Sequence, residues 1–230
     1  MAEGQNLARK LMEMPANLLF PTKFAEIAKD LFKGASNVEV HARDAAWAEA
    51  QGMYSFLSVA KGSDRPPVFL EIHIGPKAAS AEPVILVGKG VCFDTGGISI
   101  KPSAQMDKMR ADMGGAACVL AAGYTIHRLM GDKLKRKLIL LTPLVENMPS
   151  GKASIPGDIV KARNGKSIKI DNTDAEGRLI LADALCYADD FKPKHVVDLA
   201  TLTGAVLVAL GAGAAACYSN SEELWQQLHK

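Results

Sequence analysis

The chain has 230 residues, of which 48% are hydrophobic and 23% charged, a balance that fills an interior and excludes the low-hydrophobicity pattern of disorder. Lys and Arg number 27 against 25 Asp and Glu, for a net charge of +2. With 6% aromatic residues and no long basic run, nucleic acid is excluded as a favoured partner.

In chain order, residues 5–20 carry a short helical pattern that Met14 and Pro15 interrupt, and Thr22 is the expected cap of a second helix through FAEIAKDLF that stops at Gly34. Val38 to His41 reads as a strand, and DAAWAEAQ as a helix ending at Gly52. VFLEIHI at 68–74 alternates apolar and polar residues, which predicts an outer or half-buried strand. The uniformly apolar VILV at 84–87 predicts a central one, with 75–83 as the connection.

A helix is expected after Gly114 and Gly115, then a turn at Gly131, Asp132 and Lys133, then a buried strand KLILLTPLV at 137–145. ENMPSGKASIPGD reads as a long loop, Ser167 to Ile170 as a short strand, about 176–190 as a helix, HVVDLATL as a strand, and SEELWQQLHK as a helix capped by Ser221. This alternation predicts an α/β class: a largely parallel or mixed central sheet with helices on its faces, in one domain over 1–230.

Three further features bear on class. The uncharged stretch Leu199 to Tyr218 matches a membrane span in length, but its Ala, Thr and Gly content predicts a strand, a tight turn and a closely packed helix instead, so no membrane association is expected. Cys92, Cys118, Cys186 and Cys217 form no C-x-x-C pair and read as buried thiols. The start MAEGQNLARK has no apolar run of the secretory kind, so a reducing, cytoplasmic location is expected.

Chemistry concentrates in two strings that follow apparent strands, where open α/β sheets place their ligands. GKGVCFDTGG supplies Lys89 and Asp94, followed by Lys101, Asp107, Arg110 and Asp112; it fits neither phosphate-binding glycine fingerprint. Charges beside core strands demand partners, so mutual ion pairing and metal coordination are both open readings. DNTDAEGR supplies Asp171, Asp174, Glu176 and Arg178 just before an apolar helix, where Asp174 could simply cap the helix. A cleft gathering Asp94, Asp112, Asp174 and Glu176 would instead suit a pair of divalent ions with one carboxylate bridging them. The scattered His41, His73, His127, His195 and His229 offer no H-E-x-x-H, and Ser99, Ser103 and Ser150 lack the G-x-S-x-G context of a serine hydrolase.

VGKGVCFDTGGISIKP and NTDAEGRLILADAL, together with MDKMRADMGGA and ENMPSGKA, resemble the leucine aminopeptidase (cytosol aminopeptidase) family of two-metal peptidases, from about Gln5 to the C-terminus. The resemblance implies a phosphorylase/hydrolase-like catalytic core in which Lys89, Asp94, Asp112, Asp174 and Glu176 surround two ions, Zn or Mn, with Mg admissible. Asp94 and Glu176 would contact both ions, Lys89 and Asp112 one, and Asp174 the other. Lys89 could ligate only as a neutral amine.

By the same resemblance, Lys101 would stabilise the oxyanion, and Arg178 would hold a bicarbonate for proton transfer. Met109, Thr201 and Gly204 would line the pocket for the first side chain, an apolar one such as leucine. The implied activity is release of N-terminal residues from short peptides with free N-termini, by a homo-oligomer, hexameric in the full-length family. Against that family the chain reads as an incomplete catalytic domain, lacking the N-terminal domain and a C-terminal part. The competing readings are an inactive or regulatory homologue acting through oligomer or peptide binding, and a different metal hydrolase such as a phosphatase.

Overall fold

In the computed structural model, which describes residues 1–76 and 81–229, the chain begins with α1 (Ala2–Glu13) and α2 (Pro21–Leu31). There follow β1 (Val38–Arg43), α3 (Ala45–Ala50), α4 (Tyr54–Ala60), β2 (Val68–Ile74), β3 (Val84–Gly88) and β4 (Gly90–Asp94). After a 3-10 helix (Met106–Ala111) come α5 (Gly114–Met130), β5 (Leu138–Asn147), β6 (Ile159–Lys161), β7 (Ser167–Lys169), α6 (Glu176–Ala188), β8 (His195–Leu199), α7 (Ala205–Leu210) and α8 (Glu222–Leu228). The connection expected over 75–83 lies partly outside the described residues.

The main sheet runs β1-β2-β5-β3-β8, and β4 continues along β5 beyond the end of β3. The pairs β1–β2 and β2–β5 are antiparallel, while β5–β3, β5–β4 and β3–β8 are parallel, so the sheet is mixed as expected. Alternating residues of β5 serve two cores. Leu138, Leu140 and Leu144 pack with Leu11, Phe24, Met113 and Leu120 of α1, α2 and α5, whereas Ile139, Leu141 and Val145 pack with Phe56, Leu179 and Ile180 of α4 and α6. Both faces of the sheet are therefore covered by helices.

Several local expectations are corrected. β2 is an interior strand, not an outer one: Glu71 is buried because it accepts hydrogen bonds from Arg43 Nε (3.3 Å) and Tyr187 Oη (3.2 Å) and pairs with His73 Nε2 at 2.6 Å. A polar residue in an alternating pattern can thus sit inside when it is fully partnered. Thr22 does not cap α2; Pro21 opens that helix, where its missing N–H costs nothing. Asp44 Oδ1 accepts from Trp47 N at 2.8 Å to cap α3, and Ser221 Oγ caps α8 as expected.

Of the four cysteines, all free, Cys92 is buried but Cys217 is exposed. The uncharged stretch Leu199 to Tyr218 contains the end of β8 and the six-residue α7, which buries none of its side chains, in place of the closely packed helix expected there. No described helix is long and apolar enough to cross a membrane.

Candidate metal centre

β3 and β4 are one strand line broken at Lys89. The break is fixed by backbone bonds, from Lys89 N to Leu199 O at 2.9 Å and from Ala116 N to Lys89 O at 2.8 Å. These tie the break to the end of β8 and the start of α5. The Lys89 side chain, 2% exposed, runs into the space beyond the strand ends and donates to Asp112 Oδ1 (2.8 Å), Glu176 Oε1 (2.8 Å) and Thr201 O (3.0 Å). All three ammonium hydrogens are thereby used.

Asp94 closes β4, and the loop after it turns sharply. Gly96 has φ +87°, and a Cβ there would collide with Ser99 O, so only glycine serves. The loop returns through Lys101 N→Thr95 O at 2.8 Å and brings Lys101 Nζ to Asp94 Oδ2 (2.8 Å) and to Asp174 Oδ1. It is stapled to the loop before α6 by Ser99 N→Thr173 Oγ1 (2.8 Å), Thr173 N→Ser99 Oγ (3.2 Å) and Thr173 Oγ1→Gly96 O (2.6 Å). Carboxylate oxygens of Asp94, Asp174 and Glu176 lie within 4.8 Å of one another.

Of the ten residues singled out in the sequence, the fold gathers seven: Lys89, Asp94, Lys101, Asp112, Asp174, Glu176 and Thr201. Thr201 enters through its hydroxyl, which donates to Asp112 Oδ1 at 2.9 Å. The other three make no side-chain bond to the cluster among the described residues. Met109 is half-buried in the 3-10 helix, one turn before Asp112, Gly204 is exposed at the start of α7, and Arg178 is exposed in the first turn of α6 with no ion pair among the described residues. The helix-cap reading of Asp174 is not realised, since Ala175 occupies the cap position and no side chain bonds there. Asp171 pairs with Lys169 instead, and Arg110 pairs with Asp107 and with Glu13.

Electrostatics decides between simple ion pairing and cation binding. Four carboxylates (Asp94, Asp112, Asp174 and Glu176) face two ammonium groups (Lys89 and Lys101), so each lysine is shared by two carboxylates and a formal excess of two negative charges is left in a largely buried cluster. Burial, and then repulsion from Glu176 and Asp94 against the pull of Lys89, pushes the Asp112 carboxyl up to about 7. Glu176 is also raised, by burial and by Asp94. Burial works against the Lys89 ammonium, but Asp112 and Glu176 outweigh it and hold the lysine above its ordinary range. Asp112 Oδ2 is buried with no hydrogen-bond partner. A hard divalent cation supplies what such a cluster lacks: positive charge, and a partner for an orphaned oxygen.

Sequence reasoning passed over Asn147 and Thr173 and weighed Ser99 only as a nucleophile, whereas the three hold the two loops together. The available signal was position, because Asn147 directly follows the apolar run of β5 at a strand C-terminal end.

Residues 6–230 match the profile described as the cytosol aminopeptidase family, catalytic domain. The chain is 60% identical to a cytosol aminopeptidase of Homo sapiens over 229 residues, covering 99% of this chain and 44% of that protein. It is 53% identical to the cytosol aminopeptidase of Dictyostelium discoideum (100% and 44% covered) and 49% identical to a probable cytosol aminopeptidase of Rhodopseudomonas palustris strain BisA53 (100% and 45%). The chain thus spans less than half the length of these relatives.

Proposed function

The chain belongs to the cytosol aminopeptidase family, and on that premise we propose that it carries the two-cation centre of an enzyme releasing N-terminal amino acids from peptides. The observation that carries this reading is the excess of four carboxylates over two ammonium groups in a largely buried cluster, with the orphaned Asp112 Oδ2 among them.

In the proposal, Lys89, Asp94, Asp112, Asp174 and Glu176 hold the ions, with Zn or Mn the best fit to a nitrogen and carboxylate donor set. When bound, the ions would supply Lewis acidity and a water activated for attack. Lys101 must leave Asp94 and Asp174 as cations arrive, which frees its ammonium to face the developing oxyanion. Arg178, exposed and unpaired beside the cluster, is left to hold an anion such as bicarbonate. Met109, Thr201 and Gly204 are proposed to border the pocket for the first side chain, leucine or another apolar residue. We take residues 1–230 as part of one catalytic domain, acting in a cytoplasmic homo-oligomer; the relatives' names support the location, and the hexamer is the family expectation.

Metal binding should be strongly pH-dependent. The ligating forms are carboxylates and a neutral Lys89 amine, while in the metal-free site Lys89 carries a proton and burial holds Asp112 and Glu176 above the usual carboxylate range, so binding releases protons and affinity rises with pH. Titration calorimetry of the full-length protein with Mn²⁺ is expected to show two ions per chain. Affinity should fall about tenfold or more per pH unit as pH drops from 7 to 5, the slope of at least one linked proton. Equal affinity at both pH values would remove the neutral Lys89 amine from the ligand set.

A further inference from the structure

Asn147, the last residue of β5 and 5% exposed, touches both loops that carry the carboxylates. Its Nδ2 donates to Asp94 Oδ1 at 2.8 Å and to Thr173 O at 3.0 Å, while its own carbonyl accepts from Thr95 N (3.0 Å) and Thr95 Oγ1 (2.8 Å). One residue therefore ties the end of β4, the turn after it and the segment leading to Asp174 and Glu176.

The consequence falls on Asp94. Its Oδ1 accepts from Gly96 N at 2.8 Å as well as from Asn147, so both lone pairs of that oxygen are spent on neutral donors. Its Oδ2 pairs with Lys101 and makes no other hydrogen bond or ion pair among the described residues. We infer that Asn147 is the positioning residue of the centre, committing Asp94 to bind cations through Oδ2 alone and setting the reach from Asp94 to Asp174 and Glu176. The side chain that does this must be a neutral donor of two hydrogens. Carboxylate would add a further negative charge beside Asp94, and an apolar chain of equal size would leave Oδ1 held by Gly96 N alone.

The inference rests on the reading of Asp94 as a metal ligand, so its test must separate the two. Full-length wild type, Asn147→Leu and Asn147→Gln are titrated with Co²⁺, following visible absorption bands that report coordination geometry. Thermal unfolding of each metal-free protein is measured beside them. Asn147→Leu is expected to bind Co²⁺ about 10- to 100-fold more weakly, with altered bands, as when a group supporting a metal ligand is lost. Asn147→Gln, which keeps the amide one methylene away, should recover part of the affinity.

Wild type that organises no Co²⁺ would overturn the metal reading, and this inference with it. Wild-type binding matched within twofold and with the same bands by Asn147→Leu would overturn the positioning role alone, whatever the change in unfolding temperature. If Asn147→Leu does not fold, Asn147→Ser decides by the same readouts, with an expected loss of about tenfold and wild-type affinity as the contrary result.

Discussion

Asp94→Ala in the full-length protein is expected to lose organised binding of both ions and to lower turnover about a thousandfold or more, the loss of several kcal/mol of transition-state charge stabilisation. Asp94 is the carboxylate held most firmly by its own fold, with Gly96 N and Asn147 Nδ2 on one oxygen and Lys101 on the other. Removing it leaves two buried N–H groups without an acceptor, which costs stability, but it also relieves the repulsion Asp94 exerts on Asp112 and Glu176. The metal-free unfolding free energy should therefore stay within about 2 kcal/mol of wild type. Function and stability are expected to separate, and urea unfolding beside a metal titration measures both. Unchanged turnover would contradict the bridging role.

Gly115→Ala is expected to do the reverse, acting on the fold that places Lys89. A Cβ on Gly115 would fall inside contact distance of Leu199 O and 2.8 Å from Lys89 N, both backbone atoms that no rotamer change can move. Helix α5 must back away from β3 and β8, stretching the bonds Lys89 N→Leu199 O and Ala116 N→Lys89 O. Alanine is the better helix former by about 1 kcal/mol, but the clash should cost about 3 kcal/mol or more. The urea midpoint should drop with the slope unchanged, and the cation affinity should drop with it because Lys89 loses its anchor. A midpoint equal to wild type would mean that α5 does not pack as described.

The class of fold and most of the cluster were legible because they follow from local chemistry. VILVG and KLILLTPLV are too apolar for anything but buried strands, and the charges after VILVG and before LILADAL have to lie at strand and helix ends. What escaped was whatever depended on a distant partner. GKGVCFD reads as a glycine-rich turn, yet Gly90 to Asp94 forms a strand because β5 runs on past Val145 to Asn147 and offers it a ladder. The extra length of β5 is also what turns Asn147 from a loop residue into part of the site.

Helix α4 was missed for a similar reason. Ser55 and Ser58 look like surface residues, but they turn inward, with Ser55 Oγ→Leu179 O at 2.8 Å and Ser58 Oγ→Ser55 O at 2.7 Å satisfying them. Resemblance places Thr201 at a pocket wall, and its hydroxyl and carbonyl in addition hold Asp112 and Lys89. A side chain's role can follow from its type, but the atom it uses depends on where the backbone turns.

The central claim is that this cluster holds cations that act on a peptide bond beside a free α-amine. The direct measurement is release of leucine from a Leu-initiated peptide by the full-length protein loaded with Zn²⁺ or Mn²⁺, beside the same peptide acetylated at its N-terminus. Turnover is expected to need the metal, to be lost on chelation and to be confined to the free-amine peptide. Equal cleavage of both peptides, or no metal-dependent release from either, would contradict it.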